Sequence, residues 1–266
     1  MRVRLVLAMI ASLCFAACTG DQTRQTPLAS AEAQAAPAVE PEAVQALAHM
    51  ITYLRTLRDF QVTSDTMSDQ ILEGGLRLRF GGRVIYRVRN PDAFAVDIWT
   101  DRRWRQFFYD GHALTMVAPR SGFYTEINAP PSITGALQVA ARDYGVALPL
   151  TDLFIWSGSD QPSHEFAGAT TIGYARIGGA DTMHYAFREG DLEWQIWIAS
   201  GAQPLPRQIV ITNTSQEGWP SYTARLSWDI DPNFNAGDFA FQPAPEHRRI
   251  PINLIVADVG VADAAP

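Results

Sequence analysis

Cys18 is the residue in this 266-residue chain whose setting points most directly to a covalent modification. It follows Arg2 and Arg4, an apolar run from Leu5 to Phe15, and the small pair Ala16-Ala17. A basic start, a short apolar stretch and small residues before a cut describe an export signal over residues 1–17, and the stretch is too short to span a bilayer. A cysteine directly after the cut is the thioether acceptor of a bacterial lipoprotein, so Cys18 is the expected lipidation site and membrane anchor. Leucine usually stands three residues before such a cysteine; here Phe15 does. The alternative is cleavage near Ala16 or Ala17, which releases a soluble periplasmic protein. Thr19 rather than aspartate follows Cys18, so the usual inner-membrane retention signal is missing and the periplasmic side of the outer membrane is the expected location.

Other reactive patterns are sparse. His49, His112, His164, His184 and His247 are scattered, with no pair at metal-ligand spacing and no H-E-x-x-H run, so no metal site is expected. His164-Glu165 reads as a solvated turn. No G-x-S-x-G elbow occurs, and "WSGSD" from Trp156 to Asp160 reads as a glycine-serine loop. "FGGRV" and "IGGAD" lack the helix a phosphate cradle needs and read as turns. Among 28 acidic residues no spacing singles out an acid and base pair. Both cysteines, Cys14 and Cys18, lie in the signal region, leaving the remainder without disulfides, thiolate metal ligands or a cysteine nucleophile. No enzyme activity and no cofactor are expected.

All 21 basic residues are arginine, against a formal net charge of −7. An acidic chain repels polyanions, so nucleic acid is not an expected partner. Yet Arg77, Arg79, Arg83, Arg87, Arg89, Arg102, Arg103 and Arg105 fall in one stretch opposed by only Asp92, Asp97 and Asp101. Strand alternation puts several on one outer face. Such a face either stays solvated and blunts the sheet, or meets anionic lipid headgroups through Arg77, Arg79, Arg87 and Arg89, where each basic group adds about 1 kcal/mol.

These residues need elements to position them. Residues 18–41 hold almost no large apolar side chain between Thr19 and Pro41, so they read as a disordered tether with a reach on the order of 25 Å. From Glu42 to Leu57, Val44, Leu47, Ala48, Ile51, Leu54 and Leu57 recur at helical spacing. From Phe60 the period changes to two, through Leu76, Leu78 and Phe80, then Val84, Tyr86 and Val88. Further strands are expected around Phe94 to Trp99, Arg105 to Tyr109 and Leu114 to Val117, with Asn90-Pro91 and Asp110-Gly111 as turns. A second helix is predicted over Ile133 to Tyr144, with Ser132 as N-cap and Gly145 as stop. Strands then resume at Ala167 to Tyr174, Thr182 to Phe187, Trp194 to Ala199, Arg207 to Thr212 and Tyr222 to Asp229, with Asp238 to Phe241 as a candidate closing strand. One domain over residues 42–243 is followed by a tail, 244–266, whose apolar Ile250 to Val256 is expected to pack on the body.

The predicted class is α+β: a strongly curved antiparallel sheet, an incomplete β-barrel of about ten strands, with a long N-terminal helix and a mid-chain helix over its concave face. About ten strands at roughly 4.8 Å make a sheet on the order of 48 Å wide, and two helices about 10 to 12 Å across cover about half of it. The remaining dry face curls on itself, is filled by side chains, or lines an apolar cavity. The cavity-lining candidates are Leu47, Ile51, Leu54, Val84, Tyr86, Val96, Ile98, Phe107, Tyr109, Trp194 and Ile196, each of which serves a solid core equally well.

With "RQFFYDG", "YGVALPLTDLF", "HYAF", "WQIWI" and a final "FAFQP" in this order, Val44 to Pro243 resembles the domain of unknown function 2092 family of predicted periplasmic proteins. More distantly the pattern resembles the LolA, LolB and LppX carriers, whose incomplete barrels, lidded by helices, hold acyl chains. One departure stands out: LolA-like carriers have an arginine before the proline of an "R-P" strand end that ties lid to barrel, and here Asn90 holds that place while Arg89 should face the other way. The resemblance implies a noncatalytic envelope lipoprotein that binds a lipid or acylated ligand as a membrane-associated carrier or receptor. The alternative is a solid-cored module that recognises an envelope protein, through Ile250 to Val256 or an exposed sheet edge.

Overall fold

Opposite charges set the register of the longest strand pair. In the computed structural model, which describes residues 38–151, 153 and 165–259, β1 (Asp59–Ile71) pairs antiparallel with β2 (Arg77–Arg89) over the whole length of both. Asp59 stands opposite Arg89, Asp65 opposite Arg83 and Asp69 opposite Arg79. Each is also an ion pair, at 3.2, 2.8 and 2.9 Å. A slip by one residue would break this ladder and turn Val84, Tyr86 and Val88 to solvent, so charge and burial enforce the same register.

The sheet grows outward from this pair. On one side follow β3 (Ala93–Thr100), β4 (Trp104–Tyr109), β5 (Ala113–Ala118) and β6 (Phe123–Asn128), each antiparallel to the last. On the other side β1 pairs with β11 (Ser221–Asp229), then come β10 (Pro206–Asn213), β9 (Leu192–Ala199), β8 (Ala180–Glu189) and β7 (Gly168–Ile177). The two-residue β12 (Arg248–Arg249) adds in parallel to β6. Twelve strands therefore form one open sheet, bounded by β12 and β7, rather than about ten. The strand at Phe123 to Asn128 lacks a long apolar alternation, and Asp238 to Phe241 is not a closing strand: Ala236–Phe239 is a short 3-10 turn with an Asn235 and Asp238 capping box.

Helix α1 (Pro41–Leu54) lays Ala43, Leu47, Met50, Ile51 and Leu54 into the core. Pro41 suits the first turn, where its missing N–H costs nothing. Helix α2 (Ile133–Tyr144) is fixed at both ends as its sequence dictates: the Ser132 side chain accepts from Gly135 N, and Gly145 ends it at φ 65°. A third helix, α3 (Ile252–Val259), buries Ile255. The chain reaches it by crossing the convex face, where Phe234 and Phe239 pack on Ala93 and Ala95, and Phe241 meets Phe108 and Tyr124.

The arginine ladder ends in a three-way junction. Asp69, whose side chain is only 1% exposed, accepts from Arg77, Arg79 and Ser221. Burial would raise this carboxyl, but the hydrogen bonds from Arg79, Ser221 and Arg77 outweigh it and hold it at about 2. The junction's contribution is present above the ordinary carboxyl value of 3.8 and is lost as pH falls through about 2. Both arginines are about half exposed, so solvent reduces its worth to about 1 kcal/mol. Asp69→Asn is expected to lower Tm at pH 7 by about 2 to 4 °C and to flatten the loss of stability between pH 4 and 2. Thermal melts across that range check both; an unchanged acid limb would contradict this account.

Candidate ligand-binding site

The structure gathers the sequence-predicted inner-wall residues into one place. Leu47, Ile51 and Leu54 of α1, Val84 and Tyr86 of β2, Val96 of β3, Phe107 and Tyr109 of β4, and Trp194 and Ile196 of β9 all belong to a single buried cluster, with Ile98 packed against it. Alternation delivers them: β2 buries Val84, Tyr86 and Val88 while Arg83, Arg87 and Arg89 face the other way. All ten clustered side chains are at most 8% exposed.

The concavity is filled rather than hollow at this depth. Beside α2 part of the inner wall is covered by Gly145 to Thr151, a stretch without helix or strand, with Val146, Leu148 and Leu150 buried in it and Leu153 buried just beyond. Leu150 takes a positive φ of 58°, uncommon for a side chain of this size. The Tyr86 hydroxyl donates to Pro149 O and so ties the stretch to the wall. Beneath Leu148 lies a dry void of about 10 Å³, lined by Tyr86, Val88, Phe94, Val96, Ile133 and Leu137. That is room for no more than a single water molecule.

Toward one end of the sheet the inner wall changes character. The inward positions of β1 run Val62, Ser64, Thr66, Ser68 and Gln70, and the last three are only half-buried. Tyr222 stands opposite Ser68 on β11. Burial pushes the Tyr222 and Tyr86 phenols up, and their mutual electrostatic effect adds to the rise at Tyr86, so both hydroxyls stay neutral and able to donate. Ser64 Oγ is buried without a hydrogen-bond partner among the described residues, and the Tyr222 hydroxyl lies beside the Thr66 side chain. Such groups cost about 1 to 3 kcal/mol each when left unsatisfied. The sequence reading sought apolar alternation and so passed over this hydroxyl row; period-two polar residues next to Val62 were the available signal.

The arginines proposed to face a membrane lie on the convex face, each beside a carboxylate. Arg77 and Arg79 share Asp69, Arg87 meets Asp97 at 3.0 Å, and Arg89 meets Asp59. Arg89 also donates to Phe234 O and lies 4.9 Å over the Phe239 ring, clamping the crossing segment to the sheet. At the latch position, Asn90 donates from its side chain to Leu57 O and from its backbone to Arg58 O, which ties the exit of α1 to the barrel. His184 stacks on Trp197 and bonds Gln195, and burial lowers its pKa. Among the described residues no group of three His, Cys, Asp or Glu side chains could hold a metal ion. Residues 1–17, Cys18 and the tether up to Pro37, together with Trp156 to His164, lie outside the described residues.

Fold and inner wall together define a helix-covered, open curved sheet. The family model for DUF2092, described as a predicted periplasmic protein, matches residues 43–253, and this chain belongs to that family. No curated protein matches it significantly. Among solved structures it is similar to the lipoprotein LppX of Mycobacterium tuberculosis, at 14% identity and TM-score 0.45, over 74% of this chain and 100% of that one. An uncharacterized conserved protein from Thermus thermophilus gives 10% identity and TM-score 0.45, over 79% and 99%. A LolA superfamily protein from Nitrosomonas europaea gives 10% and 0.36, over 73% and 97%. Among the described residues no helix is long and apolar enough to cross a membrane.

Proposed function

We infer that this protein binds a lipid or other acylated amphiphile on the concave face of its sheet, without catalysis, and acts as an envelope lipoprotein anchored at Cys18. The observation that carries this reading is the cover: Gly145 to Thr151, a stretch without helix or strand, lays Val146, Leu148 and Leu150 into the core, with Leu153 buried just beyond it. An acyl chain enters by displacing it. These four buried side chains are worth roughly 1.5 to 3 kcal/mol each, and an acyl chain with about fourteen buried methylenes gains about 11 kcal/mol at ~0.8 each. The two sums are comparable, so the exchange is reversible, as a carrier or receptor requires. Ser64 and Tyr222 then offer hydroxyls to a carboxyl or ester oxygen at the polar end of the trough.

Lipid extraction and mass spectrometry of protein purified from a bacterial host should find a copurifying acylated molecule, and a dansylated fatty acid should bind with blue-shifted emission. Tyr86→Phe removes the tie to Pro149 and destabilises the closed form by about 1 kcal/mol. It is therefore expected to tighten apparent probe affinity about fivefold. Equal affinity of the two proteins would remove Tyr86 from the gate.

The near absence of free volume under Leu148 favours a second reading, in which the cover never lifts and the protein recognises an envelope partner. β7 is a candidate edge: it pairs with β8, its start is met on the other side by Ala38 to Glu40 at Ala169 and Thr171, and beyond them Ile172 and Tyr174 are exposed. Lipid-free protein that ignores the probe would select this reading.

A further inference from the structure

Three of the exposed large apolar side chains gather at one end of the sheet. The hairpin between β1 and β2 exposes Leu72 (39%) and Leu76 (61%), and the loop between β10 and β11 exposes Trp219 (61%). Because β1 pairs with β11, these tips are neighbours: a Cβ on Gly218 would stand 3.2 Å from Ile71, and Arg77 donates to Gly218 O. The contact holds the tips together as one apolar point. Trp219 takes a positive φ of 49°, a conformation bulky residues rarely adopt, and is held outward in it by a hydrogen bond from its own N–H to Gln216 O.

Two independent observations say what meets this point. The first is the direction of the preceding chain. Val39 bridges Ala169 at the start of β7, which lies at the same sheet end as the β8–β9 turn, the β10–β11 loop and the β1–β2 tip. The described chain therefore enters the sheet, at Ala38 and Val39, from the end that carries the exposed tips, and on the proposed anchoring at Cys18 that is the end attached through the preceding chain to a bilayer. The second is charge. Around the β1–β6 half of this rim, Arg77, Arg79, Arg102, Arg103 and Arg120 outnumber Asp69, Glu73 and Asp101, whereas the β7–β11 half is acidic through Glu189, Asp191, Glu193 and Glu217, so the basic surface lies on the Leu72 and Leu76 side of the point, and Arg120 bridges two of its turns by donating to Arg102 O. A Trp and Leu point flanked by arginine is the composition that settles at an anionic headgroup boundary, with the ring at the interface and the guanidinium groups among phosphates.

We propose that the paired hairpin tips, Leu72 and Leu76 with Trp219, are a membrane-docking surface that seats this end of the sheet in an anionic lipid interface. The proposal does not depend on lipid entering the concave face, because flotation reads the tips whether or not the cover lifts. The full chain with Cys18→Ser, exported and processed, removes the anchor from the measurement. It should float with vesicles of phosphatidylethanolamine and phosphatidylglycerol at 3:1, and float less with pure phosphatidylcholine or in high salt. The triple variant L72S/L76S/W219S should lose at least about tenfold of that binding with an unchanged melt. Vesicles with brominated acyl chains should quench a part of the tryptophan emission that W219F lacks, which locates the contact even where the triple variant folds poorly. Undiminished flotation of a folded triple variant, no binding to either vesicle, or quenching that is the same in W219F would overturn the proposal.

Discussion

Met50→Asp is expected to cost more than about 4 kcal/mol and to abolish binding of an acyl probe. Met50 is 0% exposed in the middle of α1, flanked on the same face by Leu47, Ile51 and Leu54. Removing its side chain alone costs about 2 to 5 kcal/mol, and a carboxylate in that position adds a desolvation penalty with no basic partner built to meet it. The protein either gives up the docked helix or protonates the new group. The first takes apart the concave wall and the second costs the free energy of holding a carboxyl protonated at neutral pH, so the total rivals the whole stability of an ordinary domain, about 5 to 15 kcal/mol. His49→Asp, one residue away on the exposed face, is the control and should stay within about 0.5 kcal/mol of the parent. Urea unfolding followed by tryptophan emission measures both. A Met50→Asp protein as stable as the control would mean that α1 does not seal the concave face.

Some of this structure was legible because a single period governs it. α2 runs from Ile133 to Tyr144 between Ser132 and Gly145, as the cap residues specify, since those residues act locally and need no tertiary partner. The inner-wall residues on β2, β3, β4 and β9 follow from alternation alone, and Arg89 faces outward as its parity requires. What escaped the sequence is what depends on distant contacts. β12 exists because Arg248 and Arg249 lie alongside Phe123 and Tyr124, a pairing across more than a hundred residues that no local pattern encodes. The filling of the cavity escaped for the same reason: two helices over the sheet leave out "YGVALPLTDL", whose Val146, Leu148 and Leu150 alternate like a strand but pair with no neighbour among the described residues, and which completes the core from outside the sheet. The charge stretch was visible, but not that Asp59, Asp65 and Asp69 would arrive opposite its arginines on β1.

The same covering stretch decides the functional question, and the double variant L148A/L150A tests it most severely. Each substitution removes a buried leucine at about 2 to 5 kcal/mol. The loss falls mainly on the closed form, because Gly145 to Leu153 lies outside the sheet ladder and an opened stretch already has both side chains in water. Apparent affinity scales with the fraction of molecules open to the ligand. For a parent open about 1% of the time, the double variant should bind a dansylated fatty acid up to about a hundredfold more tightly, approaching the affinity of the bare wall and gaining nothing beyond it. The ligand should in turn raise the variant's Tm more than the parent's, since binding to the folded state stabilises it by mass action. Far-UV circular dichroism should remain that of the parent, because the strands keep their partners. A folded double variant that binds no more probe than the parent would show that lifting this stretch uncovers no acyl site, and would leave the convex face, the β7 edge and the hairpin tips as the surfaces through which the protein acts.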